Sequence, residues 1–154
     1  MKKAKIIEAF RFINGIKLNV VSDKETRSAI ISNHLKMYKI VEQHEAEVKK
    51  VYEKFFDGKT EEIQVLYNLR NEFNSDATDE RKKEIVESIM KDHADLLAVE
   101  KEFNETYSNM LNEEVEVNIT KLNQESFINA CADSNLDFSM TEIIALDELF
   151  KEEE

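Results

Sequence analysis

The chain has 154 residues, and its 21 Lys and Arg side chains stand against 33 Asp and Glu, so its formal net charge at pH 7 is -12. This length suits one ordinary domain, and the acidic balance argues against direct binding of nucleic acid, because a phosphate-binding surface needs clustered basic residues. The chain contains no Pro, 2 Gly, 42% apolar and 35% charged residues, a composition that favours a mainly helical fold.

The sequence also indicates a compartment. Cys131 is the single cysteine, so no intrachain disulfide can form and nothing indicates an oxidising environment. Glu8 and Arg11 interrupt the apolar run near the N-terminus, which is unlike a signal peptide. The longest uncharged stretch, residues 28–35, is far shorter than the roughly 20 apolar residues that cross a bilayer. We therefore expect a cytoplasmic protein without membrane contact.

The first part of the chain predicts a helix, a strand and the start of a second helix. Apolar residues recur at helical spacing up to Asn14-Gly15, a pair that suits a left-handed C-terminal cap. Residues 16–21 then carry Ile16, Leu18 and Val20 at the two-residue period of a half-buried strand. The segment Ser22-Asp23-Lys24-Glu25 reads as a capping box that opens a long helix.

This long helix carries the most regular apolar pattern in the chain. Its residues fall on alternating four- and three-residue steps, which is typical of a coiled-coil seam: Ile30, His34, Met37, Val41, His44, Val48, Val51 and Phe55. A second band, formed by Ile31, Leu35, Tyr38 and Tyr52, is expected to widen the buried stripe, so we expect a bundle core. Asp57-Gly58 is expected to end the helix.

The middle of the chain predicts two further helices. One starts near Thr60 and ends before Asn74, and a long one runs from Thr78 or Asp79 to about Met110 on a single apolar stripe. At about 1.5 Å per residue, the two long helices would each span about 50 Å and could lie antiparallel.

The C-terminal part predicts one strand and two short helices. Residues 114–120 alternate apolar and polar side chains and could pair with residues 16–21. Asn123 and the capping box at Ser139 predict the two helices. The predicted fold is therefore mainly α: one domain, 1–154, that forms an elongated antiparallel helical hairpin or bundle, with a candidate two-stranded sheet from residues 16–21 and 114–120 and two short C-terminal helices.

The histidines do not form a recognisable metal motif. Helix pairs can hold metal through Glu-x-x-His motifs, but an apolar residue stands three positions before each histidine, and no two histidines are four residues apart. We expect no metal site, and we keep one constellation for comparison with the structure: His34, His44, His93 and Glu100.

Other catalytic patterns are also missing from the sequence. Cys131 lies in the run Asn129-Ala130-Cys131-Ala132, which indicates a packed helix face rather than an activated nucleophile. Two isolated glycines cannot form a phosphate-binding loop. We therefore expect a buried, inert Cys131, no catalytic residue, no cofactor and no enzymatic activity.

Charge is distributed unevenly along the chain. Residues 112–154 hold 12 acidic and 2 basic side chains, whereas residues 1–111 hold 21 acidic and 19 basic ones. The acidic end either keeps the protein in solution or forms a negative surface that steers a basic partner. The candidate partner-binding residues are Glu113, Glu114, Glu116, Asp147, Glu148, Glu152, Glu153 and Glu154.

Several short segments together resemble a known group of proteins. They are the N-terminal helix, Lys17-Leu18, the helix around Ala29-Ile30-Ile31-Ser32-Asn33, the segment Glu114-Val115-Glu116-Val117 and the acidic end. In these the chain resembles small phage-encoded proteins of unknown function from tailed bacteriophages of Gram-positive and gut bacteria. The resemblance implies a viral origin and brings no catalytic residues.

Two hypotheses about function follow. The first is a non-enzymatic phage protein that binds another protein, of the phage or of its host, in virion assembly or as a small structural component. We also expect self-association as a dimer, because Ile31, Leu35 and Tyr38 exceed what one hairpin can bury. The alternative is an acidic inhibitor of a host defence or nucleic-acid-handling enzyme, whose carboxylates occupy a site built for phosphates.

Overall fold

The computed structural model describes residues 1–75 and 77–150 and is mainly helical, as the sequence predicts. Among the described residues, no helix is both long and apolar enough to cross a membrane. The elements in chain order are α1 (Lys3–Gly15), α2 (Lys24–Phe56), α3 (Thr60–Asn74), α4 (Asp79–Asp92), α5 (Ala94–Asn112), α6 (Gln124–Asp133), α7 (Met140–Ala145) and the 3-10 helix Asp147–Leu149.

Contacts divide the chain into two compact units. Unit 1 contains Met1–Ala46 and Met110–Glu154, and unit 2 contains Glu47–Asn109. The helices α2 and α5 therefore each contribute one end to unit 1 and the other end to unit 2. The single domain expected from the sequence stays a prediction.

Most helix starts lie where the capping residues predict them. Thr78 accepts a hydrogen bond from the amide of Arg81, Asn123 accepts one from Ser126, and Ser139 forms a complete capping box. The box expected at Ser22 is wrong by one residue, because Oδ2 of Asp23 accepts the capping bond from the amide nitrogen of Thr26 at 2.8 Å. A carboxylate is an equally good N-cap acceptor.

The core of unit 1 joins α1, the N-terminal half of α2, α6 and the C-terminal segment. Its largest fully buried side chains lie at the meeting point of these elements: Ile6, Ile30, Met37, Leu122, Phe127 and Leu149. The predicted seam of α2 is confirmed here, since Ile30, Met37, Val41 and His44 are buried.

The two glycines have different roles. Gly58 ends α2 in the left-handed region, with φ +70°, as a C-terminal glycine commonly does. The same role was predicted for Gly15 and is wrong, because the described positive-φ residues do not include it. A Cβ at Gly15 would lie 2.9 Å from Cδ2 of Leu136, so any larger residue here requires the Leu136 side chain to shift.

The predicted two-stranded sheet is absent from the described residues. Residues 16–21 form a turn, in which the amide nitrogen of Val20 donates to the carbonyl oxygen of Lys17 at 3.0 Å. Residues 115–119 lack strand pairing, yet their alternation is real, because Val115, Val117 and Ile119 are half-buried against the core of unit 1. The pairings described near this segment are isolated bridges, Lys2 with Glu114 and Leu122 with Phe150.

A side chain takes the place of the missing partner strand. Nδ2 of Asn33, on α2, donates to the carbonyl oxygen of Thr120 at 2.8 Å, and its Oδ1 accepts from the amide nitrogen of the same residue at 2.8 Å. Buried backbone groups need such partners, and Asn33 supplies both without a ladder.

Unit 2 packs α3, α4 and α5 with the C-terminal end of α2. Its core contains Phe56, Leu66 and Leu96, with Phe103 packed against them. The single long helix predicted from Asp79 to Met110 is wrong, because the chain breaks at His93, which has φ -125° and ψ 18°. Nδ1 of His93 lies 3.3 Å from Oε1 of Glu62 on α3. This tertiary contact cannot be predicted from the spacing of apolar residues.

Candidate functional site

Two of the acidic candidates lie beside the first turn of α1. Oε2 of Glu113 is 2.6 Å from Nζ of Lys3, and the carbonyl oxygen of Glu113 accepts from the Lys3 amide nitrogen at 2.9 Å. Glu114 forms the isolated bridge with Lys2. The first turn of α1 has no acidic residue of its own, so Glu113 brings negative charge to a helix N-terminus that favours it.

Asp147 and Glu148 bind the same turn of α1 through Lys5. Nζ of Lys5 lies 2.7 Å from Oε1 of Glu148 and 3.5 Å from Oδ1 of Asp147. The hydrogen bond to Glu148, followed by the attraction of both carboxylates, raises the pKa of Lys5. The ammonium of Lys121 also donates to the carbonyl oxygen of Glu148 at 2.7 Å.

The structure therefore gathers four of the acidic candidates around the N-terminus of α1, with lysines between them. Glu116 is exposed on the extended segment, and Glu152, Glu153 and Glu154 lie outside the described residues. Residues 1–46 hold nine basic and five acidic side chains, and they belong to the same unit as the acidic end. Glu113, Asp147 and Glu148 thus form ion pairs with lysines of their own unit.

The histidine constellation is not assembled. Nε2 of His34 is 3.1 Å from Oδ1 of Asn14, and His44 is buried in unit 1. Glu100, in unit 2, binds both terminal nitrogens of Arg70, at 2.9 and 2.7 Å. Within residues 1–75 and 77–150 there is no group of three or more His, Cys, Asp or Glu placed to hold a metal ion.

Cys131 is fully buried in α6, which confirms the predicted burial. Removal of the thiolate from water raises its pKa to about 11. Its inertness toward reagents stays a prediction.

The expectation that the second band of α2 is buried is wrong. Ile31, Leu35 and Tyr38 are 41%, 62% and 46% exposed, and Tyr52 in unit 2 is 45% exposed. The seam already fills the side of α2 that meets the core, so the neighbouring band faces outward. Exposed residues continue this band at four- and three-residue steps, and together they form what we term the α2 face: Lys24, Ser28, Ile31, Leu35, Tyr38, Glu42 and Glu45.

Ile31, Leu35 and Tyr38 form the apolar centre of the α2 face, and aromatic rings pack beside Tyr38. The ring centroid of Tyr38 lies 6.3 Å from that of Phe10 on α1 and 6.4 Å from that of His34. The hydroxyl of Tyr38 donates to Oε1 of Glu42 at 3.1 Å, and this bond raises the pKa of Tyr38. Tyr38 therefore contacts both α1 and its own helix while it stays 46% exposed.

A groove of about 240 Å³ lies beside Ile31 and Leu35 of the α2 face, within unit 1. Leu18 forms part of its wall and is 40% exposed. The prediction from the sequence assigned Leu18 to a half-buried strand and did not mark it as a surface residue. The groove is lined by Ile13, Asn14, Ile16, Leu18, Ile30, Ile31, His34 and Leu35.

Unit 2 contains a separate cavity of about 340 Å³. Tyr52, Phe56 and Phe103 form one side, with Phe103 in edge-to-face contact with the other two rings. The Arg70–Glu100 ion pair forms another part of its lining. The rings pack against one another and Arg70 pairs with Glu100, so the charged groups of this lining bind each other.

Comparison with known proteins gives no relative to guide the choice between these surfaces: no family model, no curated protein and no solved structure matches the chain.

Proposed function

We propose that the chain is a non-enzymatic protein that acts by binding another protein chain, in virion assembly or as a small structural component. The phage origin in this proposal comes from the resemblance of the sequence. The observation that carries the proposal is the apolar centre of the α2 face, where Ile31, Leu35 and Tyr38 are 41–62% exposed on one regular helix.

Two physical arguments support a binding role for this surface. Contiguous exposed apolar side chains are costly in water and commonly mark a protein-binding site. The opposite side of α2 is fixed in the core by Ile30 and Met37, so the α2 face is already ordered before a partner arrives. Preorganisation of this kind reduces the entropic cost of binding.

The alternative function, an acidic inhibitor that mimics phosphates, draws less support from the geometry. A mimic needs carboxylates that are available to the basic residues of its target. Glu113 and Glu148 instead bind Lys3 and Lys5 at 2.6 and 2.7 Å. We therefore rank this alternative below binding through the α2 face.

A site-specific photocrosslinker tests the proposal in bacterial cells. The photoreactive amino acid replaces Leu35 in one variant and Met90, an equally exposed apolar residue on α4 in unit 2, in the control. We expect light-dependent protein adducts with the probe at position 35 and few with the probe at position 90. A product of about twice 18.0 kDa would identify a second copy, and other masses would identify other proteins.

Absence of any protein adduct at position 35, in cells that express the chain at high level, would contradict a binding role for the α2 face. Equal labelling at positions 35 and 90 would also count against it, because unspecific collisions label every exposed site alike.

A further inference from the structure

We propose that the occupant of the α2 face is the α2 face of a second copy of this chain, with the two helices antiparallel about a twofold axis at Leu35. This inference rests on the proposed function and names its partner.

The order of charges along the α2 face carries the inference. Lys24 and Arg27, with Glu25 between them, give one end of the face a net charge of +1, and Lys39, Glu42 and Glu45 give the other end a net charge of −1. Lys24 lies eleven residues before Leu35 and Glu45 lies ten residues after it. An antiparallel pair centred on Leu35 therefore brings Lys24 of each copy to Glu45 of the other.

A parallel pair would have the opposite consequence. Each end of net positive charge would then face the same end of the second copy, and each end of net negative charge would do likewise. Like charges held opposite one another disfavour such a pairing, which is how charged flanks select helix orientation. A partner of one charge sign would likewise match one end of the face and repel the other.

The apolar centre is also self-complementary when reversed. Ile31 lies four residues before Leu35 and Tyr38 lies three after it, so Ile31 of one copy meets Tyr38 of the second while the two Leu35 side chains meet at the axis. A closed twofold interface requires such self-complementarity. Leu18 stands beside the groove and adds apolar area at the edge of this contact.

The size of the face sets the expected affinity. From Lys24 to Glu45 the helix rises about 32 Å at about 1.5 Å per residue. A contact made mainly by one pair of helices lies at the low end of specific interfaces, below about 1,200 Å² in total, so we expect a dissociation constant in the micromolar range.

Sedimentation equilibrium of the purified full chain tests the pairing. We expect the wild type to form dimers at tens of micromolar, and we expect Leu35→Glu to raise the dissociation constant at least roughly tenfold, because it sets two carboxylates together at the axis. Met90→Glu adds the same charge at an equally exposed apolar site of unit 2 and should leave the dissociation constant unchanged. Circular dichroism of both variants confirms that they fold.

Disulfide trapping tests the orientation. When Lys24→Cys and Glu45→Cys chains are mixed and oxidised, we expect a cross-link between the two different variants. Lys24→Cys alone should give none, because the two copies of position 24 lie about 32 Å apart in the antiparallel pair. The wild type is the control for the native thiol, which is buried.

Three outcomes overturn this inference. They are a wild type that stays monomeric at about 100 µM, a Leu35→Glu variant that dimerises as well as Met90→Glu does, and a cross-link of Lys24→Cys to itself. A monomeric chain whose position 35 still captures a different protein in cells refutes the second copy but leaves the proposed function standing. A chain that captures nothing at position 35 refutes both.

Discussion

Asn33 shows how one buried amide side chain can fix a whole segment. It is fully buried on α2, and it binds both backbone groups of Thr120, which lies 87 residues away in the sequence. An amide side chain offers a donor and an acceptor in the same relative positions as a neighbouring strand. The extended residues 115–119 therefore keep their apolar side chains on the core without a sheet.

We expect Asn33→Ala to lower the free energy of unfolding by about 2–4 kcal/mol, because it leaves two backbone groups of Thr120 without partners. Asn71→Ala, at an exposed position of α3, is the matched control and should change stability by less than about 0.5 kcal/mol. Urea unfolding followed by circular dichroism measures both. Equal small effects in the two variants would show that the bonds to Thr120 contribute little.

Cys131 predicts a pH dependence of stability. Its pKa rises from an ordinary value of 9.0 to about 11 in the folded chain, so the folded state keeps the thiol proton that the unfolded state loses first. The stabilising contribution is complete below about pH 9 and is lost as the pH rises toward about 11. At about 1.4 kcal/mol for each pKa unit, the total loss is on the order of 3 kcal/mol.

Cys131→Ala isolates this contribution from the titration of other groups. We expect the difference in unfolding free energy between wild type and Cys131→Ala to stay constant from about pH 7 to 9 and to narrow between about pH 9 and 11. Urea titrations at each pH provide the values. Two curves that run parallel through this range would contradict burial as the cause of the shift.

At the scale of elements, local chemistry predicts most of the helices. The caps at Thr78, Asn123 and Ser139 are formed by side chains that bind amides three residues away, so a short window of sequence contains the whole interaction. The α2 seam is equally local, because a regular period places Ile30 and Met37 on one side of a helix.

Elements that depend on distant contacts could not be predicted in this way. Alternation in residues 114–120 correctly indicates one apolar side, but the segment does not pair with a strand. The side chain of Asn33 binds it at Thr120, and the backbone of Met1 binds it at Val115. The break at His93 involves a contact with Glu62, 31 residues away. Neither Gly nor Pro marks that break in the sequence.

The features of the candidate site also differ in whether they depend on local sequence or on distant contacts. Acidic residues can be counted in a sequence, but their partners cannot be read from it. Glu113 pairs with Lys3, which is 110 positions away, and this pairing makes the carboxylate less available to a binding partner. The apolar residues of the α2 face were identified, but the sequence indicated both a wider buried stripe and more apolar surface than one hairpin can bury, and the structure shows that Ile31, Leu35 and Tyr38 are exposed. Periodicity ranks the apolar bands of a helix without saying how many of them neighbouring elements cover.

At the scale of the whole molecule, the charge asymmetry of the sequence disappears on folding. The acidic residues 110–154 share unit 1 with the basic residues 1–46. Unit 1 then holds 11 basic and 17 acidic side chains, and unit 2 holds 10 and 16, so each unit carries a net charge of −6. Residues 1–46, with a net charge of +4, offset part of the −10 of residues 110–154, and the net charge of -12 is shared equally by the two units.

This net charge predicts how salt affects the proposed dimer. Two copies that each carry -12 repel one another. At 0.01 M salt the Debye length is about 30 Å, so this repulsion acts over a long distance. At 0.1 M the Debye length is about 10 Å, and most of the repulsion is screened. The pairs between Lys24 and Glu45 act at contact distance, within one Debye length at both concentrations. Screening therefore removes more repulsion than attraction, and we expect dimerisation to tighten as NaCl rises from about 0.01 to 0.1 M.

Sedimentation equilibrium at the two salt concentrations measures the effect, and Glu116→Gln with Glu125→Gln provides a matched test. Both carboxylates are exposed in unit 1 and lie off the α2 face, so their neutralisation should tighten the dimer at low salt and change its affinity little at high salt.

The sign of the salt effect also distinguishes the two kinds of partner. A basic protein steered by the acidic end would associate more slowly as salt rises, whereas a second copy of this chain would associate more tightly. A dimer that weakens with added salt would contradict the expectation that repulsion between the net charges outweighs the attraction between Lys24 and Glu45.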